Sequence, residues 1–100
     1  MQYSITPGST TLVVKISGTF RFDDHDGFKG VIKAIDAHEG NQVEISLAGT
    51  SAIDSAGVGM LLLAHERTKK QNKHLFVTGA GGTVAKVLEL TRMSSLIDIR

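Results

Sequence analysis

The sequence predicts an α/β fold: a mixed β-sheet with amphipathic helices mainly on one face, in the order β-β-α-β-α-β-α. Three observations lead there. Short apolar runs of strand type alternate with stretches whose apolar residues recur at i, i+3, i+4 and i+7, one face of a helix. Because helices separate most of the strands, the strands form strand–helix–strand units, which pair in parallel through right-handed crossovers. The first two strands are joined only by a short turn, so they form an antiparallel hairpin and make the sheet mixed. Three helical stripes beside half-polar strands put the helices mainly on one side.

The elements follow in chain order. Gln2 to Thr6 reads as a short edge strand, and Pro7-Gly8-Ser9 as a turn. Thr11 to Ser17 alternates, with Leu12, Val14 and Ile16 on one face and Val13, Lys15 and Ser17 on the other, as a half-buried strand does. Gly18 is read as its end. Thr19 to His25 is read as a loop in which Asp23, Asp24 and Asp26 surround His25. Asp24 or Asp26 is placed to cap the next helix, whose positive end suits acidic residues. Phe28, Val31, Ile32 and Ile35 mark that helix, and Glu39-Gly40-Asn41 stops it.

Val43, Ile45 and Leu47 form the next strand, followed by a polar, Gly-containing connection from Ala48 to Ala52. A second helix runs from about Ser55 to about Gln71, with Val58, Leu61, Leu62 and His65 on one face. Its start is apolar nearly all round (Val58, Met60, Leu61, Leu62, Leu63), which predicts burial on more than one side. Its end, Arg67 to Lys73, is basic. Leu75 to Val77 is another strand, and Gly79-Ala80-Gly81-Gly82 a loose turn. Thr83 is expected to cap a last helix carrying Val84, Val87, Leu88 and Thr91 on one face. Leu96, Ile97 and Ile99 close the chain as an extended segment or a final half-turn.

Composition narrows the function. One hundred residues suit one core rather than two. An apolar share of 41% is ordinary for a globular domain. Eleven Lys and Arg against ten Asp and Glu leave a net charge of +1, without the basic excess that nucleic acid or an anionic membrane would select. There is no cysteine, which removes disulfides, thiolate nucleophiles and Cys-based zinc sites. No apolar run approaches the roughly 18 residues of a membrane span. Met1 to Gly8 has neither basic flank nor apolar stretch, so no signal peptide is expected and a cytoplasmic location is.

One stretch stands out: Ile53-Asp54-Ser55-Ala56-Gly57-Val58-Gly59, where a strand gives way to a helix. Asp54 and Ser55 are both of the type that caps a helix with a side-chain oxygen. Gly57 and Gly59 are poor helix formers, and what they offer is bare backbone that another surface can approach closely. On the residues alone, capping suffices to explain Asp54 and Ser55.

Other chemistries fail on spacing. Ser55 lacks the glycine two residues before it that a nucleophile elbow needs, since position 53 is Ile53, and none of His25, His38, His65 and His74 has motif support as a base. Gly79-Ala80-Gly81-Gly82-Thr83-Val84 has valine where a dinucleotide loop has its third glycine, and the Gly-Lys-Ser/Thr of a P-loop is missing. His65-Glu66 starts like a zinc-protease helix, but the second histidine position holds Lys69. The basic run Arg67, Lys69, Lys70, Lys73 and His74 has no aromatics and reads as a solvated helix end facing the negative pole of its dipole. No cofactor, metal or catalytic residue is therefore expected.

The central stretch resembles the motif of the STAS domain, the domain of bacterial anti-sigma-factor antagonists, and the order of elements over almost the whole chain is similar to that fold. The resemblance implies that residues 1–100 form one STAS domain. It implies that Ser55, directly after Asp54, is phosphorylated by a partner kinase. The protein would then be a substrate and binder, not an enzyme. Unphosphorylated, it would bind an anti-sigma factor that is itself a serine-protein kinase. Phosphorylation would end that binding and a PP2C-type serine phosphatase would restore it. Asp54, Ser55, Ala56, Gly57 and Gly59 carry over as the partner-binding centre. Thr19, Arg21, Asp23, His25, Thr50, Ser51 and Gly81 are expected on its rim, from loops opening at the same sheet edge. A monomer, without nucleic-acid or membrane partners, is the expected state. The family also includes accessory subunits of transport ATPases and other signalling adaptors, the alternative roles. The chain departs from the family at Ser46, where many members are acidic, and at Gly18-Thr19-Phe20-Arg21, where Gly-Glu-Leu/Ile-Asp is common.

Overall fold

Five strands form one sheet whose spatial order is the chain order: β1 (Gln2–Thr6), β2 (Thr11–Phe20), β3 (Gln42–Ile53), β4 (His74–Thr78) and β5 (Asp98–Ile99). The computed structural model describes residues 1–100. β1 pairs antiparallel with β2 through the predicted hairpin, and every later pairing is parallel. Helices α1 (His25–Ala37), α2 (Ser55–Lys70) and α3 (Gly82–Leu90) are the crossovers. All three step across the sheet in the same direction, and crossovers of one hand then fall on one face. The burial pattern agrees. Leu12, Val14, Ile16, Val43, Ile45, Leu47, Leu75 and Val77 form one core with Phe28, Val31, Ile35, Val58, Leu61, Ala64, Val84 and Leu88. Each large apolar side chain so buried contributes about 1.5–3 kcal/mol.

The opposite sheet face carries Val13, Lys15, Glu44, Ser46 and Thr78 and has no helix over it. Its one large apolar side chain, Phe76, is covered by its own neighbours: the Arg100 guanidinium stands 4.0 Å above the ring and His74 stacks beside it. His74 and Arg100 also share the Asp98 carboxylate, at 2.8 and 3.1 Å.

Several expectations are corrected. Gly18 does not end β2, which runs on to Phe20, and Ala48 to Ala52 is strand rather than connection. These two extensions pair with each other beyond the end of β4, through register shifts after Lys15 and Gly18. Such bulges break the period of two, which is why the sequence there does not alternate. Gly18 at φ 79 takes a left-handed conformation that a side chain would strain. The expected loop is shorter, because Thr19 and Phe20 belong to β2, Phe22–Asp24 is a 3-10 turn and His25 opens α1. A fifth strand, β5, follows a 3-10 turn at Met93–Ser95.

Helix details change too. Asp24 precedes α1 but does not cap it with its side chain, which accepts instead from the Arg21 amide at 2.8 Å and the chain's α-ammonium at 2.6 Å. Gly81, not Thr83, is the N-cap of α3, and Thr83 Oγ1 donates to the Ser51 carbonyl at 3.2 Å. α2 is buried on one side only. Gly57, Val58, Met60, Leu61, Ala64 and Thr68 face inward, while Leu63 is 46% exposed.

Candidate functional site

The parallel strands β2 and β3 end side by side, with Phe20 paired to Ile53, and both chains then turn into helices at the same sheet edge. Crevices outside the carboxyl ends of parallel strands are where open α/β sheets place their sites. Here Asp54 holds the edge together. Its amide donates to the Phe20 carbonyl at 3.3 Å. Its carboxylate accepts from the Gly57 amide at 2.9 Å, which caps α2, and from the Phe22 amide at 3.2 Å, which ties down the turn before α1. Bonds to the charged form stabilise it, so the Gly57 amide first, then the Phe22 and Ala56 amides and the Arg21 charge, hold this carboxyl below its ordinary value of 3.8.

With Asp54 doing the capping, Ser55 is left free of that task. It is the first residue of α2 and is exposed. Its hydroxyl stands where an unsatisfied first turn and the positive helix pole favour an anion. As for nucleophilic chemistry, His65 lies ten residues on along α2, roughly 15 Å away at 1.5 Å per residue. His38 bonds the Thr10 carbonyl and His74 bonds Asp98, both through Nε2.

The two motif glycines part company. A Cβ on Gly57 would meet the Phe20 carbonyl oxygen at 2.5 Å and Ile53 Cγ1 at 2.6 Å, so Gly57 is buried and serves packing, not an open surface. A Cβ on Gly59 would meet nothing within 4 Å, and Gly59 is exposed. Bare outward backbone therefore comes from Gly59, one turn beyond Ser55.

Most of the expected rim does lie at the surface. Thr19, Arg21, Asp23 and His25 are exposed on the β2–α1 side, which the Phe22–Asp54 bond joins to Ser55. Ser51 is exposed in the extension of β3, and the Thr83–Ser51 bond brings the turn containing exposed Gly81 against it. Ala56 is half-buried behind Ser55. Thr50 is a correction: it is 7% exposed, and its hydroxyl is spent on the Ile16 carbonyl at 2.8 Å, inside the bulged sheet. The residue missed in the sequence is Phe22, 70% exposed next to the Asp54 bond. Phe22 between the charged Arg21 and Asp23, in a polar stretch that also holds Phe20, was the available signal.

The family model described as "Mlab, STAS domain" matches residues 4–98. A STAS-domain containing protein of Pseudomonas aeruginosa is 25% identical over 88 residues, covering 88% of this chain and 86% of that one. Among solved structures, an anti-sigma factor antagonist from Mycobacterium paratuberculosis superposes with a TM-score of 0.85 at 18% identity, over 98% of this chain and 83% of that one. The Bacillus cell fate determinant SpoIIAA in its phosphorylated form superposes with a TM-score of 0.74 at 16% identity, over 99% of this chain and 91% of that one. No helix in the structure is long and apolar enough to cross a membrane.

Proposed function

The chain belongs to the STAS domain family, and from that premise we propose that it is an anti-sigma factor antagonist worked by phosphorylation of Ser55. The family is a binding and regulatory fold. The unphosphorylated form, acting in the cytoplasm as a monomeric domain of residues 1–100, binds an anti-sigma factor that is also a serine kinase and so releases that factor's target. The kinase moves a phosphoryl group from ATP to Ser55 Oγ, the complex separates, and a PP2C-type phosphatase removes the phosphate again.

The observation that carries this reading is the division of labour at the start of α2: Asp54 caps, and Ser55 stands exposed beside it. A phosphate there adds about −1.5 to −2 charge at the positive helix end, next to Asp54 and within the field of Arg21, and nothing packed has to move. The same charge must be desolvated when a partner sits on Ser55 and Gly59. A penalty of roughly 3 kcal/mol suffices to weaken binding by more than a hundredfold. Phe22, Thr19, Arg21, Asp23, His25, Ser51 and Gly81 then form the surrounding contact surface, with Phe22 as an aromatic anchor of the sort interfaces favour.

Intact mass and peptide mapping of protein purified from its native host test this directly. The expected result is a phosphate on Ser55, with a kinase retained by a Ser55→Ala bait and lost from a Ser55→Asp bait. A serine without phosphate under every growth condition, or a partner held equally by both baits, would overturn the reading in favour of a constitutive subunit role.

A further inference from the structure

A groove of about 340 Å³ runs between α1 and α2 on the outer side of the helix layer. Its floor is apolar: Phe28 and Ile32 from α1, Met60 and Leu63 from α2. Beneath it the helices are closed by Val31, Ile35, Leu61 and Ala64, all fully buried. Leu63, by contrast, is 46% exposed and Ile32 half-buried. The core therefore does not need Leu63, and its side chain stands in water at the edge of an apolar channel.

The rim is charged, and unequally so. Lys29, Lys33 and Arg67 line the groove against a single carboxylate, Asp36. That carboxylate is already committed, accepting from Arg67 at 3.0 and 2.8 Å and from Gln71 at 2.6 Å. Lys29 reaches only Asp26, at 3.3 Å, with both side chains largely in solvent. Lys33 pairs with no carboxylate. In a chain whose net charge is only +1, this is a local positive excess around an apolar floor.

We propose that this groove docks an amphipathic helix of a partner protein, with Leu- or Ile-type residues at i, i+3 or i+4 and i+7 seated on Ile32, Met60 and Leu63, and with acidic residues flanking that stripe to meet Lys29 and Lys33. Helix-in-groove recognition reads just such anchors, and complementary rim charge sets orientation and partner choice. An open groove of parallel helices presents the two-ridge seat this mode requires. The groove meets the Ser55 surface at His25, which lines its end, but its apolar floor and its lysines lie outside that surface and need no phosphate, so its fate under test is separate from the function proposed above.

The test uses two synthetic amphipathic helical peptides sharing one Leu/Ile stripe, one flanked by glutamates and the other by lysines, titrated into the isotope-labelled full chain. The acidic peptide is expected to shift the methyl signals of Ile32 and Leu63 saturably. Leu63→Glu and Lys33→Glu should each weaken it at least tenfold, with the melting temperature unchanged. If Leu63→Glu fails to fold, Lys33→Glu decides alone. Equal binding of both peptides, shifts confined to other surfaces, or unmoved groove signals would overturn the proposal. So would groove signals that move with protein concentration alone, which would seat a second copy there, or that are displaced by phosphatidylglycerol vesicles, which would seat a membrane.

Discussion

The two ends of α2 are built to opposite plans. At its C-terminal end several side chains tie the helix to the rest of the domain. Arg67 and Gln71 grip Asp36 of α1, the Lys73 ammonium donates to the Ile35 carbonyl at 2.6 Å and to Gln71 Oε1 at 2.8 Å, and the Lys73 amide returns to Thr68. Asn72, at φ 57, makes the left-handed turn that allows this. At the N-terminal end one side chain, Asp54, does the tying, and the neighbouring Ser55 and Gly59 remain unoccupied at the surface. A fixed far end and a sparsely bonded near end would let the phosphorylation proposed at Ser55 change a surface without moving a core.

Three substitutions and one pH series sharpen that contrast. Gly57→Ala should have the largest effect. Its methyl would press on the Phe20 carbonyl and Ile53, and overpacking of this kind costs about 1–3 kcal/mol, read as a lower urea midpoint. Lys73→Met should cost about 1 kcal/mol in the same assay, since the Ile35 carbonyl at the end of α1 keeps the His38 amide but loses the charged Lys73 donor. Gly59→Ala should move the other way: with open space around its Cβ and a helix former replacing glycine, stability should rise by about 0.5–1 kcal/mol while partner binding falls. A gain in stability with unchanged binding would remove Gly59 from the surface proposed here.

The smallest effect separates the two ends by pH. Asp54 and Asp36 are both held below their ordinary value of 3.8, Asp54 first by the Gly57 amide and Asp36 first by Arg67. A carboxyl depressed in the folded state adds stability above its unfolded value, and loses it as pH falls through the folded one. Melting temperature should therefore drop between neutral pH and pH values below 3.8, and Asp54→Asn or Asp36→Asn should each flatten part of that drop. High salt should shrink the Asp36 share more, because its ion pair with Arg67 is exposed and screened.

Much of this was legible in the sequence. The stripes of α1, α2 and α3, the alternation of the first half of β2 and the short turn before it gave the fold class and its one-sided helix layer. The paired extensions of β2 and β3 were not legible, because bulges shift their period and they bury Thr50 where a pattern reader expects surface. β5 spans only Asp98–Ile99, too short for any periodicity. Asp54 and Ser55 are equally good caps by type, and only the position of the Gly57 amide decides between them. Gly57 and Gly59 look alike in a motif, yet one faces Phe20 and the other faces solvent.

The most direct measurement takes the partner recovered with the Ser55→Ala bait and compares its Kd for the unphosphorylated and the Ser55-phosphorylated chain, alongside the melting temperature of each. Binding weakened more than a hundredfold with the melting temperature nearly unchanged is the predicted result. Equal affinities, or a loss of binding that tracks a collapse in melting temperature, would contradict a switch that acts on the surface alone.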